Sequence, residues 1–216
     1  MPVAPSRALP AAKVAVTPAA TLACPVVSAL DRWVTETIQP AAQRWFGQQV
    51  VEMKQISAYS CRGMNGNPRA RISEHAFGNA LDIAGFVLSD GHVVTVRNGW
   101  RGTAEEQGFL RDVQNGACQM FATVLAPGSN RFHYDHIHVD LMRRNSGRNV
   151  CQPEAIPGEV VAARVRGRSK YAGRRPSSYD STGALGSRRK KQASARLPDA
   201  RFKDDRNVPA AIPGED

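Results

Sequence analysis

Apolar residues recur at helical spacing between residues 26 and 46, where Val27, Leu30, Val34 and Ile38 are followed by Trp45. Steps of three and four predict one helix, bent or restarted at Pro40, which has no N–H to give the ladder, and stopped by Gly47. The period then changes. Residues 50–56 predict a strand of mixed exposure, and the run 63–71, rich in Gly, Asn and Pro, predicts a loop over a site. Residues 80–88 are apolar enough for a buried strand, and 93–96 return from it across an Asp-Gly turn. Thr103, followed by Glu105 and Glu106, offers a cap for a helix running through Phe109, Leu110, Val113, Ala117 and Phe121, although Gly108 and Gly116 argue against its continuity. Residues 127–130 read as a loop, and 137–141 alternate apolar with polar as a half-buried strand does. This succession predicts an α+β fold, a small antiparallel sheet with helices packed on one side. Trp33, Trp45 and Trp100 are expected in its core.

Neither end of the chain carries such a pattern. Residues 1–23 are interrupted by Pro2, Pro5, Pro10 and Pro18 and offer few large apolar groups, which predicts a disordered linker. Periodicity fades again after Cys151, so the domain is expected over 24–157 and a disordered tail over 158–216. Charge sharpens this division. The chain carries a formal +10, yet residues 160–216 alone hold fourteen Lys and Arg against six Asp and Glu, leaving the rest nearly neutral. The basic character therefore belongs to the tail, where it suits contact with an anionic wall polymer or membrane surface. A five-residue run, Ala-Ile-Pro-Gly-Glu, occurs at 155–159 and again at 211–215, too short and too few for a repeat architecture. No stretch of 18 apolar residues exists to span a membrane, and residues 1–23 lack the apolar segment of an export signal. Four widely spaced cysteines, Cys24, Cys61, Cys118 and Cys151, nevertheless predict two disulfides, in any of three pairings, and an oxidising compartment, periplasmic or extracellular.

Candidate chemistry gathers in two segments. Ser73 to Asp82 places a histidine and an aspartate seven residues apart across Gly78, and 133–138 holds three more histidines. Only His92 lies outside these segments. Alternation along the last strand puts His136, His138 and Asp140 on one face and Ile137, Val139 and Leu141 on the other. Asp82 shares its own strand face with Ala80 and Ala84, small enough to leave room for a metal. Nitrogen and carboxylate ligands with an open fourth position are what a catalytic zinc ion takes. Asp140 stands ~6.6 Å along the strand from His138, near enough for a supporting bond. Arg62, Arg69 and Arg71 are placed to grip a substrate carboxylate or an oxyanion. Ser73 orders its loop rather than attacking substrate, since no GxSxG elbow surrounds it.

The pattern SxHxxGxAxD at Ser73, His75, Gly78, Ala80 and Asp82, with HxH at His136 and His138, resembles the zinc peptidases of the lysostaphin and D-alanyl-D-alanine peptidase group. With residues 59–62, Gly116-Ala117-Cys118 and 133–141 added, the chain is more specifically similar to the bacterial extensin-like C-terminal domain family over about residues 24–151. The resemblance implies Zn2+ held by His75, Asp82 and His138, with His136, two positions before the last ligand, as catalytic base or transition-state stabiliser. The HxxHxH spacing is similar to that of penicillin-insensitive murein endopeptidases and brings His133 to the site as well, whereas the carboxypeptidase branch places glutamate where His136 stands. It implies hydrolysis of an amide bond in peptidoglycan stem peptides or crosslinks, with Arg62 and Arg71 at the substrate. A monomer without a specific nucleic-acid partner is expected. Two other functions compete: a metal-dependent nuclease using the basic tail on phosphate, and a cell-wall-binding module in which the metal only stabilises the fold.

Overall fold

A computed structural model describes residues 13–172 of the chain. The first helical stretch is continuous. Helix α1 (Cys24–Trp33) passes through a wide π turn, Val34–Ile38, into α2 (Gln39–Phe46), and its backbone stays right-handed throughout. The break expected at Pro40 is thus absorbed by one widened turn just ahead of it, and Gly47, at φ 66°, ends the helix as expected. Its buried face carries Val26, Leu30, Trp33 and Ile38. The Trp33 indole N–H donates to the Val113 carbonyl at 3.0 Å, and its ring meets Phe121 edge-on at 5.6 Å.

The short helix α3 (Val96–Gly99) precedes α4 (Ala104–Met120), which opens with a reciprocal capping box between Thr103 and Glu106 and runs unbroken through both of its glycines. Tertiary packing reverses their expected effect. A Cβ at Gly108 would collide with the Trp45 ring, and one at Gly116 would collide with the Thr37 side chain. At both places the first helical stretch crosses too closely for any side chain, and the tight interhelical packing offsets the lost helix propensity.

Seven strands form one sheet: β1 (Ala15–Thr17), β2 (Val50–Ser57), β3 (Ala80–Leu88), β4 (Val93–Thr95), β5 (Thr123–Leu125), β6 (Ile137–Asp140) and β7 (Val150–Gln152). Their order is β1-β2-β3-β6-β5-β7, with β4 paired to the far end of β3. The sheet is mixed rather than purely antiparallel, because β1 joins β2 and β7 joins β5 in parallel. The fold class is α+β as expected, on a wider sheet. Leu81, Ile83, Ile137 and Val139 point from the central pair β3–β6 into the core formed with α1, α2 and α4.

Both end assignments need correction. Within the expected linker 1–23, residues 15–17 add a strand, their backbone groups being satisfied by the β2 edge despite the prolines around them. Of the segment 158–216, Gly158–Ala172 forms helix α5, which packs on α4. Its anchoring is sparse in apolar groups, with Val161 and Ala162 buried, and rests also on polar contacts. The Gly158 N–H donates to Asp112 at 2.8 Å, and Arg166 pairs with Glu105 at 2.8 Å. So few apolar contacts leave no legible period. The remainder of the basic tail and the second Ala-Ile-Pro-Gly-Glu run lie outside the described residues.

The cysteine expectation is half met. Cys118 on α4 and Cys151 on β7 form a disulfide with Cα atoms 5.5 Å apart, tying an edge strand to the central helix. Cys24, opening α1, and Cys61, in the loop after β2, are exposed thiols. An even count alone predicts two disulfides, and the fold brings only one pair into reach. Among the described residues no helix is long and apolar enough to cross a membrane.

Candidate metal centre

Strand pairing assembles the first part of the site. In the antiparallel β3–β6 ladder Asp82 stands directly opposite His138, and Ala80 opposite Asp140, so the acid and the histidine share one face. His75 comes from the 3-10 turn Glu74–Phe77 just before β3. Ser73 Oγ accepts from the His75 N–H at 3.4 Å, and Gly78, at φ 63°, donates its N–H back to the His75 carbonyl. That left-handed glycine closes the turn and folds His75 back over Asp82. Ser73 orders the loop, as expected.

Hydrogen bonds on the outer ring nitrogens fix what the inner ones present. His75 Nδ1–H donates to the Ala58 carbonyl at 2.6 Å, leaving a bare lone pair on Nε2, 3.2 Å from Asp82 Oδ2. His138 Nε2–H donates to Asp140 Oδ2 at 3.0 Å, and its Nδ1 faces Asp82 Oδ1 at 2.7 Å. The supporting bond from Asp140 is therefore direct, the imidazole reaching along the strand. The ligand atoms of His75, Asp82 and His138 all lie within 4.8 Å of one another, and all three residues are buried. A lone pair aimed at a carboxylate inside the protein is repulsive, and a cation between them removes the repulsion. Two imidazole nitrogens and a carboxylate oxygen, each imidazole with its outer partner in place, fit a divalent ion of the zinc type.

The electrostatics follow from the same contacts. Burial raises the Asp82 carboxyl, but the hydrogen bond from His138 and the positive charge of that imidazole outweigh it and hold it far below the usual carboxylate range. Burial lowers His138, while its bonds to Asp140 and Asp82 reverse that and raise it to about 9. Asp140, opposed by burial, is lowered by His138, by the Thr123 hydroxyl and by the Met142 N–H. At pH 7 the His138 imidazolium bridges two carboxylates, and an entering cation must displace its Nδ1 proton. About one proton is expected to be released per cation bound at pH 7, and apparent affinity should climb with pH until about 9 and level off above. Titration calorimetry in two buffers of different ionisation heat reads the proton count, and a count of zero would rule out His138 as a ligand.

A second histidine pair closes over this centre. His136 Nδ1–H donates to Asp135 at 2.9 Å, leaving its Nε2 3.5 Å from Asp82 Oδ1. His133 Nδ1–H donates to Asn130 Oδ1 at 2.8 Å. Burial, and then the neighbouring His138 and His136, push His133 down to about 4, so it is a neutral imidazole near pH 7. Ring centroids lie 5.0 Å apart for His133–His136 and 5.6 Å for His133–His138.

All five residues open onto a cleft of about 430 Å³. Arg62 lines it and donates to Ser57 at 3.3 Å. Arg71 is exposed and, although Met64, Asn65 and Ile72 of the same loop line the cleft, neither Arg71 nor Arg69 is among the lining residues. Arg144, which sequence reasoning passed over, does line the cleft and donates to Thr123 Oγ1 at 2.6 Å, steadying the hydroxyl that supports Asp140. Sequence reasoning also passed over Asp135 and Asn130 as partners, although adjacency to His136 and a three-residue offset from His133 were available clues. His92 stands apart, 3.8 Å from Glu106.

Residues 2–152 match the family model described as "Extensin-like protein C-terminus". No curated protein and no solved structure matches the chain. The matched span takes in the residues that carry β1, which the expected domain start at Cys24 left out.

Proposed function

The chain belongs to the extensin-like protein C-terminus family, and from that premise we propose that it is a zinc-dependent peptidase acting on amide bonds of peptidoglycan stem peptides or crosslinks. One observation carries the reading. The outer nitrogens of His75 and His138 are tied to Ala58 and Asp140, so their inner nitrogens converge with Asp82 at the base of a cleft that also holds two further histidines. His75, Asp82 and His138 would hold the ion. When bound, zinc supplies Lewis acidity, polarising the scissile carbonyl and making water a stronger nucleophile near neutral pH.

The remaining work falls to the chain's own side chains. His136, with its Nδ1 proton committed to Asp135, turns the Nε2 lone pair toward the cleft and takes a proton from the attacking water. It returns that proton to the leaving amine, so that water and amide become carboxylate and amine. His133 stays neutral and serves as a hydrogen-bonding wall that adds no second positive charge beside His136. Arg62 orients the substrate's carboxylate or carbonyl oxygens. The apolar side chains of Met64, Ile72 and Phe132 at the rim are exposed and suit the small aliphatic residues of wall peptides.

Purified wall peptides incubated with the full chain should release new primary amines, read by amine labelling and mass spectrometry. Release is expected to stop with 1,10-phenanthroline and to return with added zinc. Cleavage that persists undiminished under chelation would end the zinc reading. One zinc bound per chain with no turnover would replace it with a wall-binding role.

A further inference from the structure

A second cleft, of about 730 Å³, is lined by Arg97, Trp100, Arg101, Gln107, Arg111 and Tyr134 among others. Arg97 belongs to α3, Trp100 and Arg101 follow it, and Gln107 and Arg111 lie one turn apart on α4. The cleft thus gathers three guanidinium groups, and no carboxylate lines it. Acids close by in sequence are engaged elsewhere. Glu105 holds Arg166, Glu106 accepts the Thr103 N–H, Asp112 takes the Trp45 indole and Gly158, and Asp135 holds His136. Among the described residues none of the three arginines forms an ion pair.

Arg111 is the most constrained of them. Its guanidinium lies over the Trp100 ring at 3.8 Å, and its Nε is buried with no acceptor. Stacking on an aromatic face holds the planar fork in place but satisfies none of its donors. Arg97 leans over Tyr134 at 5.8 Å in the same way. A buried guanidinium donor stripped of water and unpaired is an unfavourable arrangement that an incoming anion reverses.

The position of the cleft is informative as well. His133 and His136 line the metal cleft while Tyr134, between them in sequence, lines this one, so one short segment is the partition between the two. We propose that this arginine cleft is an oxyanion subsite, taking a carboxylate or phosphate group, the anionic chemistry of a wall polymer. The inference goes beyond the peptidase reading and needs no metal.

Nitrogen-15 NMR of the full chain, following the Arg111 Nε–H and Trp100 indole N–H signals, tests it directly. Inorganic phosphate and acetate are titrated separately at constant ionic strength, with 1,10-phenanthroline present so that the outcome does not depend on the metal cleft. Saturable shifts at Arg111 are expected, with affinity weakened by roughly tenfold or more in the double variant Arg97→Ala/Arg101→Ala, whose sites are exposed. Saturation by phosphate alone assigns a phosphate group as the natural ligand, and saturation by acetate alone assigns a carboxylate. Linear, unsaturable shifts with both anions, or affinity unchanged in the double variant, would overturn the proposal. Because amine release from wall peptides is measured separately, failure here leaves the peptidase reading standing, and the converse holds.

Discussion

Alanine at His138 is expected to abolish metal binding, to reduce amide hydrolysis to background and to destabilise the fold. The side chain belongs to the group that could hold a metal ion and is also the partner of two buried acids, bonding Asp82 at 2.7 Å and Asp140 at 3.0 Å. Removing one member of a buried charged set leaves the others without compensation, which costs about 3–5 kcal/mol. Asp82 would be left facing only the Nε2 lone pairs of His75 and His136, and Asp140 would keep only the Thr123 hydroxyl and the Met142 N–H. Urea unfolding should show a lowered midpoint, and elemental analysis of the purified variant should find no bound zinc. A variant that kept one zinc per chain would show that His138 is no ligand.

Alanine at His136 is expected to do the reverse, sparing the metal and removing the chemistry. A positioned general base contributes about a hundred- to ten-thousand-fold, and kcat for wall-peptide cleavage should fall by that order while zinc content stays at one per chain. Asp135 holds the His136 ring with its lone pair turned inward, so Asp135→Asn should lower kcat in the same direction and by less. His133→Ala is expected to cost far less in kcat, since His133 stays neutral and is tied to Asn130 rather than to a carboxylate. If His133→Ala were the inactive variant and His136→Ala the active one, the two roles would have to be exchanged.

The two sequence segments behind these predictions are legible because local rules govern them. Alternation along a strand needs no partner, and it puts His138 and Asp140 on one side of β6, with His136 just ahead of the strand, and the apolar Ile137 and Val139 on the other. Gly78 announces a tight turn, and the turn needs its positive φ. The helical period between residues 26 and 46 corresponds to a real helix, though its response to Pro40 is a π turn that periodicity does not encode. Gly108 and Gly116 mislead because propensity weighs a glycine against its own helix, whereas here Trp45 and Thr37 of a neighbouring helix decide its worth. Adjacency to the motif favours Arg71 and overlooks Arg144, since which side chains face a cleft is set by packing between distant segments rather than by distance along the chain.

By itself the sequence determined an α+β domain, its principal helices and strands and a set of side chains suited to holding a metal ion, all of which depend on patterns a few residues long. Only the tertiary structure decided that Asp82 stands opposite His138, because that register joins residues 56 apart in the chain. It also decided that Ala58 and Asp140 fix the two imidazoles, that Cys118 meets Cys151 while Cys24 and Cys61 remain thiols, and that residues 15–17 and 158–172 belong to the fold. Each of these is a contact between distant segments, whose free energy comes from the partner found rather than from the residue itself. SxHxxGxAxD and HxH supplied the donors, and the β3–β6 ladder made them one centre.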